Sequence, residues 1–133
     1  MNLDSKDKRI QKNSQLSSFR LAFIGIISAV KKERNLRIHL CFTALVILLG
    51  FVFHISVQNW MFLSIAIGLV ICMELMNTAL ERVVDLVTEK YHPLAKQAKD
   101  IAAGAVLFAA IIALIIGMFV FVPEIMQLMS IGI

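Results

Sequence analysis

Three carboxylates and an amide recur at helical spacing in one stretch of the chain: Glu74, Asn77, Glu81 and Asp85, with Thr78 beside them. No Gly or Pro interrupts the sequence from Glu74 until Pro93. At about 100° per residue, all five fall within about 60° of Glu74 on a helix. Leu75, Met76, Ala79, Leu80, Val83, Leu86 and Val87 fill the rest of the circumference. Solvation of a free surface does not confine acids to one narrow stripe of an apolar helix, so the pattern predicts a polar site. A carboxylate there can accept a proton, and carboxylates with an amide can hold a hard divalent cation.

Further groups bracket the stripe. Glu33, Asn35, Arg37 and His39 alternate just before a long apolar run; Tyr91 and His92 precede Pro93; Lys99 and Asp100 precede a second apolar run. Each has a plain structural alternative. Glu33 and Arg37 could be an i,i+4 pair, Asp100 a helix N-cap, Lys99 a snorkelling anchor and His92 a surface histidine. Together they put acid, amide, imidazole and ammonium groups on one side of a membrane. Phosphoryl transfer from ATP uses that set: carboxylates for a divalent metal, a cation for the phosphates and a base for the acceptor hydroxyl. Neither a GxxxxGK[ST] loop nor a His-Arg-Asp catalytic loop is present, so any such activity belongs to an unrelated kind of kinase.

The elements that must position these groups are membrane helices. The 133 residues are 59% hydrophobic and only 17% charged, against about 25% charge in soluble domains. This excludes a disordered chain, a disulfide scaffold and a typical water-soluble enzyme. No Asp, Glu, Lys or Arg occurs between Ile38 and Met73, or between Ile101 and Pro123. The first stretch is about 54 Å long as one helix, against a hydrocarbon core of about 30 Å, so it must be two spans. His54, Ser56, Gln58, Asn59 and the interfacial Trp60 mark the break. The fold class is therefore all-α, with transmembrane helices near residues 38–53, 60–88 and 101–122, the last ending at Pro123-Glu124. Counted from Trp60, Glu74 lies about 21 Å along its helix, still within the hydrocarbon core, and Glu81 about 10 Å further on. An ionisable group at Glu74's depth points to function.

Nine of the thirteen Lys and Arg residues precede His39, and the other four lie between the second and third spans. The amino terminus and second loop are thus expected in the cytoplasm and the carboxyl terminus outside, in the cell membrane. The net charge of +4 reflects that asymmetry and an anionic leaflet, with no nucleic-acid partner implied. Residues 1–14 read as a polar tail ahead of a single domain over 15–133. Phe19, Phe23, Ile26, Ile27 and Val30 then recur at helical spacing, predicting an amphipathic helix near 15–35 that lies on the bilayer or packs on the spans. Cys41 and Cys72 read as buried small hydrophobes without metal spacing. A cleaved signal peptide is not expected, because mixed and basic residues fill the chain up to Arg37.

The stripe Glu74-x-x-Asn77-Thr78-Ala79-Leu80-Glu81-x-x-Val84-Asp85 resembles the signature of the small prokaryotic diacylglycerol kinases, E-x-x-N-[ST]-A-[IL]-E-x-x-[VI]-D. Glu33-x-Asn35-x-Arg37-x-His39, Tyr91-His92 and Lys99-Asp100-x-x-Ala103-x-Ala105-Val106 also look like family segments, in order and at family spacing. The likeness extends from about Phe19 to Val122. It implies an ATP-dependent lipid kinase, a homotrimer with active sites shared between subunits, and Mg2+ as cofactor. By position, Glu74 matches the catalytic base and Asn77 a polar partner in the site. Glu33 and Glu81 match metal-coordinating carboxylates that also serve nucleotide binding; Tyr91, His92, Lys99 and Asp100 match nucleotide contacts. Asn35 and Arg37, with Glu74, are candidates for lipid contacts. The Glu33–His39 segment is similar to the Gram-positive branch, which implies undecaprenol as acceptor, with diacylglycerol the alternative. Without the resemblance, Glu74 alone would also suit a small proton-coupled transporter, and hydrophobicity alone a structural subunit.

Overall fold

The computed structural model describes residues 15–131, so the tail expected over 1–14 lies outside the described residues. Four helices follow one another: α1 (Gln15–Lys32), α2 (Arg34–Val52), α3 (Val57–Val87) and α4 (Pro93–Ile131). Among the described residues there is no strand. The helices α2, α3 and α4 are each long and apolar enough to cross a membrane. The three expected spans are therefore present, with shifted ends.

A single extended residue separates α1 from α2. Glu33 has φ −93° and ψ 119°; its N–H donates to the Ala29 carbonyl at 2.8 Å and its carbonyl accepts from Arg37 N at 3.4 Å. The expected surface helix to about residue 35 thus stops at Lys32, because the extended Glu33 interrupts the helical run. Lys31 and Lys32 sit in the last turn of α1, where cations complement the helix dipole. Phe19, Phe23, Ile26 and Ile27 are exposed, and Ala29 is buried. An apolar face left uncovered by the chain fits a helix lying on the bilayer.

The α2–α3 turn is a Schellman motif. Beyond the C-cap Phe53, His54 takes φ 51°, its N–H donates to the Phe51 carbonyl at 3.2 Å, and Ile55 N–H donates to the Gly50 carbonyl at 3.2 Å. Histidine is among the non-glycine residues found in this left-handed region. Ser56 then caps α3, accepting from Asn59 N at 3.2 Å. Gly50 is required here: a Cβ would come within 2.7 Å of the Trp60 ring. Ile55, Leu63 and Val120 form the buried cluster at this end, with Val46, Phe53, Trp60, Ile116 and Phe121 packed on it.

Two expectations are corrected. Pro123 does not end the last helix, which runs on to Ile131 and begins at Pro93 rather than near residue 101. Proline at the first helical position sacrifices no bond, and in the interior Pro123 removes one donor while the flanking turns continue. Cys41 and Cys72 are exposed on α2 and α3, not buried; a membrane helix has no aqueous side to hide small apolar residues from.

α4 packs along α3, and α2 contributes two buried residues, Leu36 near its start and Gly50 near its end. Between these two anchors an apolar groove of about 550 Å³ opens, lined among others by Phe42, Val46, Ala66, Val70, Ala113 and Gly117.

Candidate active site

The stripe on α3 divides by burial. Glu74, Asn77 and Thr78 are buried, at 3%, 7% and 4% exposure; Glu81 is half-buried and Asp85 exposed. Asn77 Nδ2 donates to Glu81 Oε1 at 3.1 Å, one turn along the helix. That bond fixes the amide, and its Oδ1 is left buried without a partner. An orphaned buried acceptor is costly, so it marks a place for a donor or a cation to bind. The Glu74 carboxyl lies within electrostatic reach of His39, Glu81 and Glu33. Glu74, Asn77 and Glu81 thus share one face of α3, with Glu33 at the corner before α2 and His39 on α2 near it.

Glu33 is tied to α3 by Arg82, whose guanidinium nitrogen stands 3.5 Å from its Oε1. The alternative i,i+4 partner, Arg37, is not its ion-pair partner. Asn35 and Arg37 are exposed on the first turn of α2 and line neither the apolar groove nor the cleft at the other end of α3. Their proposed lipid contacts thus gain no support from a single chain. Divalent binding needs hard oxygen donors, and Mg2+ is commonly held by one or two carboxylates plus phosphates. Glu33, Glu81 and the free Asn77 Oδ1 fit such a role. Among the described residues no group of three His, Cys, Asp or Glu side chains forms a complete metal cage, so substrate phosphates would have to complete the set.

The remaining expected residues meet in a polar cleft of about 270 Å³ between the end of α3 and the start of α4. Asp85, Tyr91, His92, Lys96, Lys99 and Asp100 line it. Lys99 Nζ contacts Asp85 Oδ1 at 2.5 Å, and Lys96 Nζ contacts Asp100 Oδ2 at 2.5 Å. His92 Nδ1 accepts from Leu94 N at 3.2 Å and caps α4. Because α4 starts at Pro93, Asp100 lies in the helix interior and cannot be its N-cap. Thr88 turns the loop through its hydroxyl, which accepts from Lys90 N at 3.2 Å.

The comparisons with known proteins decide the family. The model for prokaryotic diacylglycerol kinases matches residues 20–121, and an undecaprenol kinase from Bacillus subtilis is 44% identical over 92% of this chain and 99% of its own. The chain belongs to the prokaryotic diacylglycerol kinase family. A diacylglycerol kinase from Synechocystis is 46% identical over 86% of this chain and 66% of its own length. The Escherichia coli diacylglycerol kinase is 44% identical over only 38% of this chain. The family match contains the buried stripe, the α1–α2 corner and the cleft, and so covers both halves of the candidate site.

Sequence reasoning missed two partners within this site. Arg82 lies about 80° from Glu74 around the helix, off the stripe, and only its long side chain brings it to Glu33. Lys96 was legible as an i,i+4 partner of Asp100, but nothing in spacing alone ties Lys99 to Asp85 on another helix.

Proposed function

We propose that the protein is a membrane lipid kinase that transfers the γ-phosphate of ATP to undecaprenol, giving undecaprenyl phosphate. The observation that carries the proposal is the Glu74 carboxyl, buried on a helix able to span a membrane and continued by Asn77 and Glu81 toward a polar cleft. The full-length likeness to an undecaprenol kinase supports the acceptor; diacylglycerol is the alternative that the family name supports. Glu74 takes the proton of the lipid hydroxyl as its oxygen forms a bond to the γ-phosphorus, and ADP leaves. Glu33 and Glu81 would hold the Mg2+ that accompanies ATP, which supplies charge neutralisation for the phosphates. Asn77 orients Glu81, Lys99 faces the phosphates once released from Asp85, and Tyr91, His92 and Asp100 line the nucleotide's cleft.

A homotrimer with shared sites accords with the single chain's incompleteness. Leu86, Val87 and Tyr91, beside the cleft, are at least 80% exposed, so the cleft as built cannot exclude water. The Lys and Arg distribution supports an orientation with α1 and the α3–α4 loop cytoplasmic, where ATP is. A transporter reading needs Glu74 alone and leaves the cleft unused.

The test uses purified protein in mixed micelles with ATP labelled on the γ-phosphate and Mg2+. Undecaprenol and diacylglycerol are offered separately, with Glu74→Gln as control. Label entering undecaprenyl phosphate much faster than phosphatidic acid supports the acceptor; the reverse preference makes diacylglycerol the substrate. Label in neither lipid, or undiminished transfer by Glu74→Gln, refutes the reading.

A further inference from the structure

Arg82 is the only basic residue of α3, and it takes no part in the chemistry described so far. The family signature leaves its position open. Arg82 directly follows Glu81 and precedes Asp85 by three residues. Along the axis it therefore lies about 1.5 Å from Glu81 and about 4.5 Å from Asp85, at the seam between the buried stripe and the cleft that Asp85 lines. Its guanidinium donates to Glu33 Oε1 at 3.5 Å. The Glu33 carboxylate is itself within electrostatic reach of Glu74, so the arginine's charge is held beside the carboxylates of the site.

The pair is loose. Its separation exceeds the about 2.7–3.2 Å of an ordinary N–H···O bond, and both side chains are partly exposed, at 44% and 30%. Nor does the corner depend on it: Ala29 on α1 and Leu36 on α2, which flank Glu33, are buried at 3% and 1% exposure. A pair of this kind is worth about 0–1 kcal/mol and is cheaply exchanged. A guanidinium's planar fork of donors fits a phosphate bidentately, in charge-assisted bonds of the stronger kind. A divalent cation on Glu33 would compete for the same oxygens and repel the guanidinium. Resting on the kinase reading above, we propose that Arg82 is a phosphate-binding residue of the reaction. Its guanidinium exchanges the Glu33 carboxylate for a phosphate oxygen of ATP, and the exchange leaves Glu33 to the divalent cation. Metal arriving alone must displace the arginine into water, whereas Mg-ATP brings the phosphate that receives it. Metal and nucleotide thus bind better together than apart. A fixed tie between the α1–α2 corner and α3 is the competing account.

Full-length protein in mixed micelles tests the exchange with two variants: Arg82→Gln removes the charge, and Arg82→Lys keeps it without the fork. Arg82→Gln is expected to lower kcat/KM for Mg-ATP by about 10- to 100-fold, with KM for the lipid within about twofold of the wild type. Arg82→Lys should recover only part of that loss. The second readout is Mn2+ binding without nucleotide, followed by the electron paramagnetic resonance signal of the free ion. With the guanidinium gone, Mn2+ should bind Arg82→Gln about two- to fivefold more tightly than the wild type. A fixed tie predicts the opposite, because a loosened Glu33 would hold the ion less well. The proposal is overturned if Arg82→Gln leaves kcat/KM for Mg-ATP unchanged or fails to tighten Mn2+ binding. It is equally overturned if the lipid KM rises in parallel, or if Arg82→Lys matches the wild type. Wild-type protein that phosphorylates no lipid refutes the kinase reading itself, an outcome distinct from any difference among these variants.

Discussion

The two halves of the site are built by opposite means. Around Glu74, Asn77 and Thr78, polar groups are buried in an apolar setting with few partners of their own; Asn77 Oδ1 has none. Around Lys99, Asp85, Lys96 and Asp100, charges are abundant but open to water, and they are already paired with one another. A buried, under-satisfied group stays poised because the fold holds it, and a ligand's donors or cations relieve its cost directly. An exposed ion pair is worth little, about 0–1 kcal/mol, and is cheaply exchanged for a phosphate. The Glu74 end is thus preorganised and the Lys99 end adaptable, which on the proposed reading suits an acceptor confined to the membrane and a donor that arrives from water and must leave again.

The largest effect belongs at the buried end. Removing the base with Glu74→Gln should lower kcat by about 10²- to 10⁴-fold, while Mg-ATP binding, followed by isothermal titration of the detergent-solubilised protein, persists. Loss of nucleotide binding in that variant would erase the division between the two halves. Asn77→Leu comes next. It leaves the Glu81 carboxylate without its 3.1 Å amide partner and removes the orphaned oxygen, so activity should fall by about 10- to 100-fold. The Mg2+ concentration for half-maximal rate should rise as well; a loss of kcat at unchanged Mg2+ dependence would place Asn77 on the lipid side alone.

These contrasts follow how much was legible from residues. The Glu74–Asn77–Glu81 alignment needed only a continuous helix, and no Gly or Pro breaks α3 from Glu74 to Val87, so the stripe was readable. The turn at His54–Ser56 was readable too, because a charge-free run too long for one span has to fold back where its polar residues cluster. Tertiary partners were not: Arg82–Glu33 and Lys99–Asp85 join different helices, and helical spacing constrains only neighbours on one helix. Pro123 misled for a related reason. A proline rule from water assumes that a broken turn is replaced by hydration, whereas in a membrane continuing the helix is the cheaper course.

At the α2–α3 turn, Gly50→Ala offers a control far from both halves. Its Cβ would meet Trp60 at 2.7 Å and Ile55 at 3.2 Å, and overpacking of this kind costs about 1–3 kcal/mol. Thermal unfolding in detergent should therefore shift down while the KM values for lipid and Mg-ATP stay unchanged. A rise in KM for Mg-ATP would mean that strain at the α2–α3 turn reaches the cleft through α3.

The smallest effect belongs to the exposed pair at the nucleotide end. Asp85→Asn releases Lys99 from the 2.5 Å contact that now occupies it. If that contact competes with phosphate, KM for Mg-ATP should fall, by no more than about fivefold given the modest worth of an exposed ion pair. Raising the salt concentration screens the same pair in the wild type, but it screens ATP's own attraction to Lys96 and Lys99 as well. The difference between variant and wild type should therefore shrink as salt rises, while kcat at saturating ATP stays level. A rise in KM in Asp85→Asn would instead mean that Asp85 holds Lys99 in its working position. The cleft would then be preorganised like the Glu74 end, and the contrast between the two halves would collapse.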